Sequence, residues 1–225
     1  DTIRDLIRDG VSLMVFFGHG TTNGFDINVD EPSLWDNKGR YPVVMANSCF
    51  SGNIHKPSTS VLSISEEYVL IEDLGAIAFV ATPGLGNPYY LDRYTERLHN
   101  HISSLDYSES IGQQMQLTAS SNAPTTLGSE SNATLSSIGM SLEMTLHGDP
   151  AYRINPHAKP ELSINDPVLG ASFRFEPELI TTDLDSFDVL VEVTNIGRSV
   201  TQDIILNATR SFPTRREIVP RLPLS

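Results

Sequence analysis

The sequence predicts an α/β fold, a mainly parallel sheet flanked by helices, followed by a partial all-β sandwich. Three observations carry this. Apolar runs such as "SLMVFF", "PVVMAN" and "GAIAFVA" are continuous and not alternating, as expected of strands covered by helices on both faces. Segments of helical spacing lie between them, which is the order of a parallel sheet with crossovers. After Pro156 the text changes to alternating strands and turn residues.

In chain order, "DTIRDLIRDG" reads as a helix already under way, with Ile3, Leu6 and Ile7 at helical spacing. An opening of this kind suggests a fragment, so the lack of a leader says nothing about the parent protein. Strands are predicted over Ser12–Phe17, Pro42–Asn47 and Gly75–Ala81, and a fourth in "MSLEMTL" before His147. Ser63 with Glu66 forms a capping-box signature ahead of "EEYVLIEDL". Asn87-Pro88 supplies an N-cap and a first-turn proline for "YYLDRYTERLHNHI". A weaker helix covers Ser108 to Ala119, and the Ser/Thr-rich stretch Thr118–Ser137 reads as a loop.

"NPHAKPELSIND" reads as a linker into strand text, placing a first domain at 1–155, a linker at 156–160 and a second domain at 161–225. In "FDVLVEVTNIGRSVTQDIILNATR", Val189, Val191 and Val193 are expected to face Ile204, Leu206 and Ala208 across a turn at Asn195-Ile196-Gly197. This is the text of an immunoglobulin-like sandwich. It is shorter than the roughly 100 residues of a whole one and is expected to be incomplete.

Hydrophobic residues at 39% against 19% charged exclude a disordered chain. A net charge of -13 argues against a nucleic-acid partner, because lysine and arginine drive phosphate binding. No apolar run is long enough to span a bilayer. A single cysteine, Cys49, excludes an internal disulfide and a cysteine-rich metal cluster.

The chemistry is expected where strands stop. Ligand sites of open α/β sheets lie beyond the carboxyl ends of the strands. "FFGHGTTNGF" puts His19 after one strand, and "ANSCFSG" puts Cys49 after the next. A thiolate attacks a carbonyl carbon, and a neighbouring histidine can take its proton and return it. Each signal alone has a plain structural reading, a turn for Gly-His-Gly and packing for a lone thiol.

Taken together, these blocks resemble the cysteine peptidases that include caspases, legumains and gingipains. "VVMANSCFSGNI", "EEYVLIEDLGAIAFVATPG" and "TLHGDPAYRINP" narrow the likeness to the gingipain family. The resemblance implies a caspase-like sheet and a cysteine endopeptidase that forms a thioester acyl-enzyme. It makes Cys49 the nucleophile, His19 the general base and acid, and the backbone N–H groups of Gly20 and Cys49 the oxyanion hole. Phe17 and Asn47 match positions lining the primary specificity pocket, though an aromatic ring and a neutral amide are no counterpart of a site for arginine or lysine. An acidic residue orienting the histidine would come from sequence before Asp1, so none is assigned.

The family further implies a protein or peptide substrate, a secreted or bacterial cell-surface location, and contact with secretion machinery. The chemistry requires no cofactor. Gingipain-like proteins can carry structural calcium, for which Asp26, Asp30, Glu31 and Asp36 offer oxygen ligands, but a solvated acidic loop is preferred because no spacing matches a dedicated calcium loop. Trp35 is expected to anchor this excursion and not to act as a lid. His147 lies by a turn and reads as a structural hydrogen-bonding residue, with Asp149 holding that turn through its own backbone. His99 and His101 do not share a helix face, and His55 and His157 sit in loop text without partners. Two rival readings keep the same residues: a surface-anchoring transpeptidase, and a binding module in which the pair is a relic.

Overall fold

The computed structural model describes residues 2–27, 31–55, 62–121, 132–166, 170–171, 173–181, 183–201, 203–207, 209–211, 216–218 and 222–223. The chain divides into two compact units, Asp1–Pro156 and His157–Ser225.

In the first unit, α1 (Thr2–Asp9) precedes β1 (Leu13–Phe17), and a small hairpin of β2 (Gly20–Thr21) and β3 (Gly24–Phe25) follows. Then come β4 (Val43–Asn47), α2 (Ile64–Leu70), β5 (Ala78–Ala81), α3 (Pro88–Asn100), α4 (Ile111–Ser120), α5 (Asn132–Glu143) and β6 (Thr145–Gly148). The sheet order is β1-β4-β5-β6; β1, β4 and β5 run parallel, and β6 is antiparallel to β5.

The continuous apolar strands are explained by two cores. Val43 and Met45 of β4, with Ala78 and Val80 of β5, pack against Leu91, Tyr94 and Leu98 of α3, Ile111 of α4 and Met140 of α5. The alternate residues Val44, Ala46, Phe79 and Ala81 pack on the other face with Ile7, Trp35, Ile64 and Tyr68. Successive side chains of a strand point to opposite faces, so a strand buried on both sides has no polar position.

The helix signals hold. Ser63 and Glu66 form the capping box of α2, with the Ser63 N–H donating to the Glu66 carboxylate at 2.7 Å. Asn87 caps α3 by accepting from the Tyr89 N–H at 3.1 Å, and Pro88 occupies the first turn. Ser110 caps α4 through the Gln113 N–H.

The fourth strand forms in part of "MSLEMTL": Thr145 and Leu146 open β6, while helix α5 takes the run to Glu143. Met140 and Met144, four apart, both face the core, which is a helical and not an alternating burial pattern. The stretch Thr118–Ser137 is helical at both ends, because α4 runs to Ser120 and α5 begins at Asn132; residues 122–131 lie outside those described. His157 has a partner, the Glu161 carboxylate at 2.5 Å.

Trp35 is an anchor. It is 1% exposed and meets the Tyr68 ring edge-on at 5.0 Å, and Tyr68 in turn meets Phe79 at 5.4 Å. Asn37, also buried, ties the excursion to the loop before β5: its amide donates to the Gly75 and Arg40 carbonyls at 2.8 and 3.1 Å and accepts from the Gly75 N–H at 3.1 Å. Asn37→Ala would leave buried backbone groups of Gly75 unpaired, at a cost of about 2–4 kcal/mol. Urea unfolding should show the midpoint falling accordingly; an unchanged midpoint would refute this role.

In the second unit the described strands form five two-stranded pairs, β7–β12 (Leu162–Ser163 with Thr194–Asn195), β8–β9 (Asn165–Asp166 with Gly170–Ala171), β10–β11 (Phe173–Glu176 with Asp188–Val191), β13–β16 (Ile205–Leu206 with Leu222–Pro223) and β14–β15 (Thr209–Ser211 with Arg216–Ile218). The hairpin expected around Asn195-Ile196-Gly197 does not form among the described residues. Val189 and Val191 pair with Phe175 and Phe173, and Leu206 pairs with Leu222. Ala208 lies outside the described residues. The turn signal was real but local: Asn195 folds back on the Gly197 N–H at 3.0 Å without bringing its flanks together.

Candidate active site

Strands β1 and β4 are neighbours whose register pairs Phe17 with Asn47. His19 and Cys49 are each two residues beyond that pair, so both leave the sheet at one edge from strands about 4.8 Å apart. The Gly18 N–H donates to the Asn47 carbonyl at 3.2 Å, which extends the ladder toward the two turns.

Beyond it the turns touch. A Cβ placed on Gly20 would lie 2.8 Å from Ser48 Oγ and 2.9 Å from Ser48 Cβ, so the residue after the histidine packs against the residue before the cysteine. Ser48 cannot yield easily, since it is buried and its hydroxyl is bonded to that of the equally buried Ser51 at 2.8 Å. His19 is exposed, and its carbonyl accepts from the Asp26 N–H at 3.1 Å, which closes the β2–β3 hairpin behind it.

The cysteine turn is fastened from the other side by the loop leaving β5. The Phe50 N–H donates to the Gly84 carbonyl at 2.7 Å and the Gly52 N–H to the Thr82 carbonyl at 3.0 Å. The half-buried Cys49 thiol points its proton at the Gly86 carbonyl, 3.8 Å away. Phe50, directly after the cysteine, is in the left-handed region at φ 57. That conformation costs a residue other than glycine about 1–2 kcal/mol and turns the chain sharply at this point. Sequence reading missed the loop Thr82–Gly86, although "TPGLGNP" is dense in turn residues.

Of the two positions matched to a specificity pocket, Phe17 is 51% exposed, whereas Asn47 is 1% exposed. The Asn47 amide lies 3.0 Å from the Thr95 hydroxyl of α3. That hydroxyl has one proton and is 2.8 Å from the Leu91 carbonyl, an acceptor only, so the Asn47 group facing it must be the amide NH2.

His147 is part of the sheet, in β6. It pairs across β6 with Phe79. Thr145 donates its hydroxyl proton to the Ala81 carbonyl at 2.9 Å, so the contact of His147 Nε2 with Thr145 Oγ1 at 3.1 Å requires a proton on Nε2. Burial pushes its pKa below the ordinary histidine value, with Glu66 opposing that shift and His55 adding to it. The folded protein thus binds this proton less readily than the unfolded chain. The contribution is full above about pH 6.5 and is lost as pH falls through that value toward the folded pKa. Melting from pH 8 to 5 should show a loss of stability that is reduced in His147→Gln; identical slopes for both proteins would exclude the effect.

The remaining sequence candidates scatter. His101 pairs with Asp106 at 2.6 Å, and Asp149 holds its turn through the Ala151 N–H at 2.8 Å. Asp26, Glu31 and Asp36 are exposed, Asp30 lies outside the described residues, and among the described residues no three acidic, histidine or cysteine side chains assemble as a metal site.

A family model described as peptidase family C25 matches residues 1–155. No curated protein matches the chain. Among solved structures it is similar to the complex of the pro- and mature domains of RgpB from Porphyromonas gingivalis, at 14% identity and TM-score 0.54, covering 77% of this chain and 42% of that one. It is likewise similar to the Arg-specific cysteine proteinase gingipain R (RgpB), at 14% identity and TM-score 0.54, covering 77% and 41%. A third structure, described as a protease, is similar at 11% identity and TM-score 0.51, covering 97% and 55%. The chain thus spans less than half the length of the first two, and at these identities the likeness is one of fold.

Proposed function

Because the chain belongs to peptidase family C25, the gingipain family, we propose that its first unit is the part of a cysteine endopeptidase that carries the nucleophile and the base. The observation that carries this reading is the contact of Gly20 with Ser48, which joins the His19 turn to the Cys49 turn.

In this mechanism His19 takes the thiol proton and the Cys49 sulfur attacks the carbonyl carbon of the scissile bond. The backbone N–H groups of Gly20 and Cys49 hold the oxyanion of the tetrahedral intermediate. His19 then gives its proton to the leaving amine, the C–N bond breaks, and a thioester remains on Cys49. Water, deprotonated by His19, attacks the thioester; the acyl fragment leaves as a carboxylic acid and the thiol is restored. Phe17 borders the pocket for the substrate side chain, and Asn47 supports its floor from below. The substrate is a protein or peptide. Among the described residues no helix is long and apolar enough to cross a membrane, and the family reading carries export to a bacterial surface or the medium.

The test is an acid quench of the protein turning over a peptide ester, followed by mass analysis. An acyl mass on the Cys49 peptide, with product ending in a free carboxylate, is the expected result. Product formed with Cys49 unmodified at every time point would reject the mechanism.

A further inference from the structure

Resting on that peptidase reading, we propose that Thr145 is a positioning residue for the nucleophile: its hydroxyl, fixed by His147, sets where the Cys49 turn stands against the sheet. The turn comes back to the sheet at Gly52, three residues after Cys49, and Gly52 is buried. Its N–H donates to the Thr82 carbonyl at 3.0 Å. It also faces the Ala81 carbonyl and the Thr145 hydroxyl so closely that an added Cβ would lie 3.0 Å and 3.1 Å from those two oxygens. The Thr145 hydroxyl is therefore one wall of the slot that the turn occupies, and a side chain at position 52 would press on it.

That wall has little freedom to move. The hydroxyl donates its one proton to the Ala81 carbonyl at 2.9 Å and accepts from His147 Nε2 at 3.1 Å, so turning the side chain breaks both bonds. Thr145 and His147, two apart in β6, share one face and stand opposite Ala81 and Phe79 of β5. Beyond Ala81 the same segment stiffens itself, because the Gly84 N–H donates to the Thr82 hydroxyl at 3.1 Å. Phe50 and Gly52, which follow Cys49, are both anchored on this segment, through the Gly84 and Thr82 carbonyls. Thr145 with His147 braces it from β6. A methyl of the same shape cannot replace the hydroxyl: it would leave the His147 N–H without its acceptor and stand 2.9 Å from the Ala81 oxygen, inside van der Waals contact. The segment would then shift and carry the cysteine turn with it.

The experiment measures kcat and KM of Thr145→Val and Thr145→Ser beside wild type, well below each melting temperature, on the peptide that wild type cleaves fastest in a random library. Thr145→Val is expected to lose about 10- to 100-fold in kcat with KM changed by less than about twofold, because a displaced nucleophile weakens the transition state and not substrate binding. Thr145→Ser keeps the hydroxyl and both of its bonds, and should hold kcat within about threefold of wild type. Gly52→Ala pushes the turn off the same hydroxyl and should repeat the loss in kcat; if Thr145→Val does not fold, an unchanged kcat in Gly52→Ala overturns the assignment. An unchanged kcat in Thr145→Val, a loss confined to KM, or equal losses in the valine and serine variants likewise overturns it while leaving the peptidase intact. If wild type cleaves nothing and Cys49 takes up no acyl group, the peptidase reading falls and the assignment falls with it.

Discussion

Peptide cleavage is expected to drop by at least about 10⁴-fold in kcat when Cys49 is replaced by alanine, and by a comparable factor for His19→Ala, because in the proposed mechanism the two groups act as one unit in forming the acyl-enzyme. The doubly substituted protein should be no slower than either single one, since once the thiolate is gone the base has nothing to activate. Neither change should affect folding much: His19 is exposed, and the Cys49 thiol makes only a long contact to the Gly86 carbonyl. Digestion of a peptide library by the four proteins, with thermal melts in parallel, decides the matter. Equal cleavage by wild type and Cys49→Ala at matched melting temperature would discard the nucleophile; multiplied losses in the double variant would mean that the residues act separately.

Gly20→Ala is expected to cost about 100-fold in kcat/KM with a loss of roughly 1–3 kcal/mol in stability. The added methyl would sit 2.8 Å from Ser48 Oγ, 2.9 Å from Ser48 Cβ and 3.2 Å from the Phe25 ring. Ser48 is held by Ser51, so the histidine turn must move away from the cysteine turn, and a displacement of about 1 Å between reacting groups is enough for a loss of that size. Ser48→Gly removes both clashing atoms and should restore a good part of the rate in the double variant. Full activity of Gly20→Ala alone would show that the turns do not depend on this contact.

Much of this arrangement was readable from the residues. The run ending at Asn47 announced a strand buried on both faces, whereas the run ending at Phe17 became an edge strand with Val15 and Phe17 exposed; the carboxyl-end rule put His19 and Cys49 on one edge. Ser63-Glu66 and Asn87-Pro88 announced their helices because capping is local chemistry, settled within three residues. What failed depended on partners distant in sequence. "MSLEMTL" is apolar enough for either a helix or a strand, and its first residues close helix α5, with Met140 packed against α3 and α4, before Thr145 and Leu146 enter β6. Val189 and Val191 alternate as a strand should, but alternation does not say which strand lies beside it, and β10, on the preceding side of the chain, took the place expected of the following one. The Thr82–Gly86 loop was legible as a turn; that its carbonyls receive Phe50, Gly52 and the thiol could be learned only from the folded chain.

The left-handed backbone of Phe50 has a consequence for engineering. Stability screens reward relief of such a residue, and glycine at this position would relax the backbone at once. Selection for heat resistance alone would therefore keep the bend but trade away the ring beside the sulfur and loosen the backbone there, and turnover should be scored beside melting temperature from the first round.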